Sequence, residues 1–287
     1  MNEIRPSQAS RADAALRAAW PDRINVLGVG VSALSIPLAL GQFDAWIAGG
    51  AREYVCVADV HAIMQSRWDD GFRAIHNGAG IVTPDGMPLV WLCRLAGRRA
   101  VSRVYGPDLL LATCEHSVRR GYRHFFYGGA PGVGATLAAQ LTGRFPGLQV
   151  VGTHSPPFRD LTEQEAAETA ALIDTARPDF VWVGLSTPKQ ERWMAAFRPH
   201  LAASILVGIG AAFDFHSGTK PQAPYWIQRS GFEWLFRLAT EPRRLWPRYR
   251  KVVPAFLWYL ALQKLRLRRF PLPAQPGAER HADPAPR

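Results

Sequence analysis

FFYGGAPGVGATLAAQL, residues 125–141, runs from an apolar stretch through a glycine-rich turn into a stretch with helical spacing. This pattern is typical of a strand that passes through a tight turn into a helix. Such a turn lets backbone N–H groups approach a diphosphate, and the helix N-terminus favours its charge. However, GGAPGVG departs from the GxGxxG spacing and no GK[ST] follows it. A phosphate site and a purely structural turn are therefore both open.

Apolar, strand-like runs recur along the chain, and stretches with helical spacing lie between most of them. This alternation predicts an α/β fold, Rossmann-like, with a mostly parallel sheet flanked by helices. Ligands of such sheets bind outside the carboxyl ends of the strands, so the loops there are the candidate site. The strand-like runs are 24–31, 54–58, 79–82, 123–127, 148–152, 179–184 and 204–209, and the helical stretches are 107–120, 133–144, 162–177 and 188–201.

The composition bounds the class of protein. The 287 residues are 48% hydrophobic and 20% charged, which suits one large folded domain with an appendage. The three cysteines show no CxxC spacing, so neither a zinc site nor a disulfide framework is indicated. The N-terminus lacks the apolar stretch of a signal peptide. Residues 24–40 are too short and too polar for a membrane span, and we expect a buried strand at 24–31.

The basic charge is concentrated near the C-terminus. Residues 225–287 hold 13 Lys and Arg against 4 Asp and Glu, which accounts for most of the formal net charge of +11. We therefore predict a flexible arm over 1–23, an α/β domain over 24–224, a basic helical appendage over 225–270 and a disordered tail over 271–287. The tail is rich in Pro and Ala, as disordered segments often are.

The appendage interleaves its arginines with Trp226, Trp234, Trp246 and Trp258. Its apolar run, 252–262, has 11 residues, against the roughly 20 needed to span a bilayer. A basic helix with tryptophans is typical of a segment that lies in the headgroup plane of an anionic membrane surface. A solvated basic helix is the plainer alternative.

One carboxylate stands out in GIVTPDGMPLVW, residues 80–91, where Asp85 follows a strand directly between two prolines. No GxSxG or HExxH motif occurs, and no metal or other cofactor is expected. General-base catalysis on a phosphate-bearing substrate would use a positioned carboxylate, turns whose N–H groups can contact phosphate, and many arginines. The sequence offers all three. Alternatively, Asp85 caps the helix after the turn. We also expect Ser186 or Thr187 to cap the next rim helix, with Glu191 completing a capping box.

Five motifs in order resemble the WecG/TagA/CpsF family of bacterial glycosyltransferases. The resemblance runs from about Ile24 to Tyr259. It implies transfer of a sugar from a UDP-sugar to a polyprenyl-diphosphate-linked glycan acceptor, at the cytoplasmic face of the bacterial inner membrane. The motifs are VTPDGMPLVW, RVYGPDLL, GLSTPKQERWM, GIGAAFDFHSGT and GFEWLFRLATEPRRLWPRY.

The resemblance also implies roles for single residues. Asp85 would be the base that takes the proton from the acceptor hydroxyl while that oxygen attacks C1 of the donor, with inversion. Asp59, which stands where many members have Asn, would accept hydrogen bonds from sugar hydroxyls. Arg103 and Asp108 would be pocket residues, and the Arg103 guanidinium could fork onto phosphate oxygens. Gln190 would contact the substrate through its amide. The leaving diphosphate would be held by arginines, namely Arg237, Arg244 and Arg248.

The chain departs from the family pattern at Ala58 and Asp59, where many members have Thr and Asn. An acid at Asp59 would repel an anionic sugar, which favours a neutral donor. The sequences GMPLVW and RVYGPD resemble those of the exopolysaccharide members more than those of the teichoic acid members.

Two other classes of function stay open. A nucleic-acid-binding protein would explain the basic aromatic segment, although no RRM, KH or helix-turn-helix pattern occurs and we expect no nucleic acid partner. A nucleotide-dependent oxidoreductase is the other alternative, and a spectral change with a nicotinamide cofactor would distinguish it from an enzyme that uses a UDP-sugar. The donor sugar, the acceptor linkage and a possible homo-oligomer are left open by the sequence.

Overall fold

The structure is a computed structural model and describes residues 21–210, 212–217, 223–224, 226–227 and 231–273, without the side chains of Asp214, His216 and Arg244. The elements are β1 (Arg23–Val26), β2 (Val29–Ser32), α1 (Ile36–Ala48), β3 (Glu53–Ala58), α2 (Val60–Trp68), α3 (Asp70–Gly78), β4 (Ile81–Pro84), α4 (Met87–Leu95), α5 (Gly106–Arg120), β5 (Arg123–Gly128), α6 (Val133–Arg144), β6 (Gln149–His154), α7 (Glu163–Ala176), β7 (Phe180–Gly184), α8 (Lys189–Phe197), β8 (Ile205–Gly208), α9 (Ala212–His216), α10 (Glu233–Thr240) and α11 (Pro242–Lys264).

Six strands form one parallel sheet in the order β4-β3-β8-β7-β5-β6. Apolar clusters cover both faces, with Tyr127 and Val183 in one and Phe126 and Trp182 in the other. Strands buried on both faces read as continuous apolar runs, which is why the sequence showed them clearly. The predicted α/β fold with a parallel sheet flanked by helices is confirmed.

Local sequence signals set several helix boundaries. Helix α5 has Pro107 near its start and ends at Gly121, whose φ of 72° is the left-handed conformation that closes helices. Helix α7 carries a capping box between Thr162 and Glu165. Helix α6 has the bounds predicted for it, 133–144.

The prediction of one buried strand at 24–31 is wrong. Leu27 and Gly28 both have positive φ, 54° and 89°, so the chain reverses there in a two-residue turn. Strands β1 and β2 consequently pair antiparallel as a separate two-stranded sheet, with Arg23 opposite Ser32. The apolar run hid this turn because only one of its two turn residues is a glycine.

The hairpin holds the far end of α11. The Gln263 side chain accepts from the Leu27 N–H at 3.1 Å and donates to the Asn25 carbonyl at 3.1 Å. The Asn25 amide donates to the Phe270 carbonyl at 2.6 Å. Phe256 and Phe270 are buried in the same apolar cluster as the hairpin. This part of the predicted appendage is therefore integral to the packed body.

Helix α11 also presents an exposed apolar stripe, which we define as Trp246, Val253, Leu257 and Trp258. Arg243, Arg250 and Lys251 are exposed on the same helix. Among the described helices, none combines the length and the apolar character that crossing a membrane requires.

The predicted division of the chain into arm, domain, appendage and tail stays a prediction. Residues 1–20 and 274–287, which make up most of the arm and the tail, lie outside the described residues.

Candidate active site

A cavity of about 470 Å³ opens at the carboxyl ends of the parallel strands. Its walls come from segments that follow β3, β4, β7 and β8, four neighbouring strands of the sheet. Helices α10 and α11 close its other side. This is where ligands of open parallel sheets bind. Prominent residues of its lining are Asp59, Asp85, Gln190, Glu233, Arg237 and Arg248.

Asp85 lies directly after β4, where its backbone N–H donates to the Ala58 carbonyl of β3 at 3.0 Å. The alternative that Asp85 caps the following helix is wrong, because α4 begins after Gly86 and has no side-chain cap. The side chain is 20% exposed, and within the described part of the chain its Oδ1 atom has no hydrogen-bond partner. The cavity wall therefore holds a carboxylate with one buried oxygen that accepts no hydrogen bond and lies 3.5 Å from Arg103 Nη2.

Burial raises the pKa of Asp85 to about 7, against the ordinary 3.8, and the nearby Arg103 only partly offsets this. The negative charges of Asp59 and Glu233 raise it further, while Arg237 lowers it. A general base works best when its pKa lies near the operating pH. Asp85 therefore has the proton affinity that such a base needs.

Replacing Asp85 by Asn is expected to raise thermal stability at high pH. The pKa of Asp85 is about 7 in the folded protein against the ordinary 3.8, so stability falls as the pH rises between these values. Above about pH 7 the charged Asp85 side chain lowers the free energy of unfolding by its full amount, roughly 2–4 kcal/mol. Asn carries no charge, so the variant does not suffer this loss. Melting curves should show a gain of several degrees at pH 8 that narrows towards pH 4.5. An equal gain in melting temperature at pH 8 and pH 4.5 would show that the charge of Asp85 is not the cause.

Arg103 lies beside Asp85 but is not among the described residues that line the cavity. Its Nε donates to the Asp85 carbonyl at 2.5 Å, and its Nη2 contacts Glu233 Oε2 at 2.6 Å. The guanidinium is thus already engaged by the protein, which differs from the predicted fork onto phosphate oxygens. Asp108, in the first turn of α5, is likewise absent from the described lining.

Gln190 and Asp59 both line the cavity. Gln190 is buried, and in the described structure its Oε1 has no hydrogen-bond partner. A Cβ at Gly208 would lie 3.1 Å from Gln190 Nε2, so the glycine leaves room for the amide. Asp59 is the N-cap of α2, where one oxygen accepts from the Ala62 N–H at 2.9 Å. Gln190 thus contributes a buried amide whose Oε1 accepts no hydrogen bond within the described structure, and Asp59 contributes a carboxylate with one oxygen already used.

The predicted cap of the rim helix is wrong. Pro188 is the N-cap of α8, without a side-chain cap bond. Thr187 instead donates to Glu191 Oε1 at 2.8 Å, and Gln190 Nε2 donates to the same oxygen at 3.1 Å. Glu191 is fully buried, and burial raises its pKa. The acid therefore fixes the Gln190 side chain from behind the cavity.

Two cations reach the cavity from the C-terminal helices. Arg237 of α10 and Arg248 of α11 are half-buried in its wall. Arg244 lies in α11, but its side chain is outside the described residues, as are the side chains of Asp214 and His216. The cavity thus combines a basic carboxylate with positive charge that suits a diphosphate.

The sequence reasoning missed His61, Tyr105 and Glu233, which also line the cavity. Burial lowers the pKa of His61, Asp59 raises it and Arg248 lowers it, so the ring is mostly neutral at pH 7. Glu233 had a usable signal, because it precedes Arg237 by four residues and so shares its helix face. For His61 the signal was its place two residues after Asp59.

The glycine-rich turn after β5 is structural. Gly128 has a φ of 122°, and a Cβ there would lie 2.6 Å from the Gly184 carbonyl oxygen. A Cβ at Gly129 would lie 3.2 Å from the Phe213 ring. These glycines permit close packing against β7 and α9, and the described cavity lining does not include them. The phosphate-binding alternative for this turn is therefore not supported.

Replacing Gly128 by Ala is accordingly expected to cost stability. The Cβ would clash with backbone and the residue would keep an unfavourable φ, so we expect a loss of about 2 kcal/mol or more. The matched control is Gly143→Ala in α6, where a Cβ meets nothing within 4 Å and stability should rise by up to about 1 kcal/mol. Denaturant unfolding measures both. Unchanged stability of Gly128→Ala with weakened donor binding would restore the phosphate interpretation.

No group of three or more His, Cys, Asp or Glu side chains that could hold a metal ion occurs in the described ranges. That the protein needs no metal ion nevertheless stays a prediction.

Comparison with known proteins bears on this site. A model of the glycosyl transferase WecG/TagA/CpsF family matches residues 24–270. Three relatives carry the name N-acetylglucosaminyldiphosphoundecaprenol N-acetyl-beta-D-mannosaminyltransferase. The Bacillus spizizenii protein is 30% identical over 67% of this chain and 72% of its own length. The Bacillus subtilis protein is 27% identical over 71% and 78%, and the Staphylococcus aureus (strain MRSA252) protein 20% over 86% and 95%. The resemblance seen in the motifs is confirmed.

Proposed function

Because the chain belongs to the WecG/TagA/CpsF family of glycosyl transferases, we propose that it transfers a sugar from a UDP-sugar to a polyprenyl-diphosphate-linked saccharide, with inversion. The names of the relatives specify an N-acetylglucosaminyl-diphosphoundecaprenol acceptor and a beta-linked N-acetylmannosaminyl product. We therefore propose the same class of acceptor for this chain and assign the reaction to the synthesis of cell-surface polysaccharide.

Asp85 acts as the general base in this proposal. Its carboxylate takes the proton of the acceptor hydroxyl while that oxygen forms a bond to C1 of the donor sugar. The bond from C1 to the diphosphate breaks on the opposite face, and UDP leaves with the electron pair. One carboxylate is enough, because a single displacement has no covalent enzyme intermediate.

The observation that carries this proposal is the pairing of Asp85 with Arg237 and Arg248 around one cavity. The arginines face the charge that develops on the leaving diphosphate, so no metal ion is required for that task. We assign Arg244 the same task. Gln190 hydrogen-bonds the substrate. Asp59 binds sugar hydroxyls and disfavours an anionic donor, and Asp108 supports from outside the lining residues Gly106 and Pro107 that precede it on α5.

The exposed apolar stripe of α11 supports binding at the cytoplasmic face of the bacterial inner membrane. Its tryptophans and the neighbouring basic residues suit the headgroup region of an anionic leaflet. A peripheral protein held there meets an acceptor whose polyprenyl chain stays in the bilayer. This arrangement gives the predicted appendage, residues 225–270, a part in both membrane binding and catalysis.

Neither alternative class gains support from the described residues. The glycine-rich turn after β5, which could have served a dinucleotide, packs against β7 and α9, and the described cavity lining does not include it. The basic helix exposes an apolar stripe, which a nucleic-acid-binding surface does not need.

Transfer of labelled sugar from a panel of UDP-sugars tests the proposal. The acceptor is a short-chain polyprenyl-diphosphate N-acetylglucosamine in mixed vesicles, and the controls omit the acceptor or add EDTA. We expect incorporation from one donor, unaffected by EDTA, with the product of opposite anomeric configuration by NMR. Absence of incorporation from every donor, together with no UDP binding by calorimetry, would refute the proposed activity.

A further inference from the structure

Arg103 lies between two carboxylates from distant parts of the chain. Its Nη2 is 2.6 Å from Glu233 Oε2 and 3.5 Å from Asp85 Oδ1. The shorter contact is a charge-assisted hydrogen bond, whereas the longer one is a loose ion pair. All three side chains are at most 20% exposed, so solvent screens these contacts weakly.

The rest of Arg103 is fixed. Its Nε donates to the Asp85 carbonyl, and its guanidinium carbon lies 4.0 Å from the centre of the Tyr105 ring. The preceding strand holds the segment as well, because the Val104 N–H donates to the Pro84 carbonyl at 3.1 Å. These contacts hold the guanidinium between the two carboxylates, with Nη2 nearer to Glu233 than to Asp85.

Glu233 stands in the first turn of α10, the helix that also brings Arg237 into the cavity wall. The ion pair with Arg103 thus joins the C-terminal helices to the body beside the candidate base. Helix α10 thus carries both the carboxylate that contacts Arg103 and a cation that lines the cavity.

We propose, on the basis that Asp85 is the base, that Glu233 is a positioning residue. Its contact with Arg103 Nη2, at 2.6 Å against 3.5 Å for Asp85 Oδ1, holds the guanidinium off the Asp85 carboxylate. Asp85 thereby stays basic enough to take the acceptor proton.

Loss of Glu233 should lower the pKa of Asp85 for two reasons. It removes a negative charge that raises the pKa of Asp85, and it frees Arg103, whose charge lowers that pKa. Among the described residues, the other charged or titratable groups of the cavity around Asp85 are Asp59 and His61 at the start of α2, Tyr105 before α5, Arg237 on α10, Glu241 at the N-cap of α11 and Arg248 on α11.

The test compares pH profiles of kcat/KM for the full-length protein and its Glu233→Gln and Glu233→Asp variants. The wild-type profile should rise through the Asp85 pKa of about 7. In Glu233→Gln the rise should shift to lower pH by roughly one unit, and the plateau should fall about threefold because the base is weaker. Glu233→Asp should restore part of the shift.

The matched control is Glu165→Gln, which breaks an Arg–Glu pair of the same 2.6 Å length at the start of α7 and should leave the profile unchanged. A readout without turnover is the infrared carboxylate band that Asp85→Asn removes. We expect its titration to move down in Glu233→Gln.

The outcomes separate this inference from the proposed function. An unmoved pH profile and an unmoved infrared titration in Glu233→Gln would overturn it, even where activity is reduced, and would leave Asp85 as the base. Near-normal turnover of Asp85→Asn would overturn both.

Discussion

Asp85→Asn is expected to lower kcat for sugar transfer by about 10²–10⁴-fold, the usual contribution of a general base. Asn fits the same turn and cannot take the acceptor proton. The backbone N–H to the Ala58 carbonyl is unaffected, so the fold and the other cavity residues should stay in place. Binding of UDP, measured by calorimetry, should change little, because Arg237 and Arg248 remain. The loss should therefore appear in kcat rather than in KM.

The control for this variant is Asp70→Asn, which removes an exposed carboxylate in the first turn of α3. It should retain wild-type transfer at every pH. If Asp85→Asn turned over at a near-normal rate, Asp85 would not be the base and another cavity group would have to be sought.

Leu257→Glu combined with Trp258→Glu is expected to release the protein from anionic vesicles. Both side chains are more than half exposed on α11, so they contribute little to folding and are available to a bilayer. Burying two such side chains in a membrane contributes about 3–5 kcal/mol. Two added negative charges also repel an anionic surface. We expect the vesicle partition coefficient to fall by roughly 10²–10³-fold, measured by sedimentation with phosphatidylglycerol vesicles.

The matched control is Phe158→Glu combined with Leu172→Glu. It changes charge and apolar exposure equally at two exposed positions of the body and should bind vesicles like the wild type. Substitution is preferable to truncation before α10, since removing Phe256 and Phe270 would uncover the apolar cluster that they share with the hairpin. Equal vesicle binding by both double variants would contradict a membrane role for the stripe.

The sequence predicted most of the sheet and the place of Asp85 at the ends of the strands. Parallel strands buried on both faces are continuous apolar runs, and a carboxylate between prolines after such a run must lie at the strand ends. The hairpin was missed because Leu27 has a left-handed backbone conformation, which leucine rarely adopts and which its residue type therefore does not predict. The role of Gly128 was undecided because a turn that binds phosphate and a turn that packs closely use the same residue.

The sequence by itself determined the α/β architecture, the family and the place of Asp85, since these depend on local periodicity and on motifs that are contiguous in the chain. Only the tertiary structure decided the environment of that carboxylate. Arg103 and Glu233 are 130 residues apart and meet only because the C-terminal helices fold back over the strand ends. Burial and the balance of charges then set the pKa of Asp85. Both depend on which groups surround it in space, which no spacing along the chain expresses.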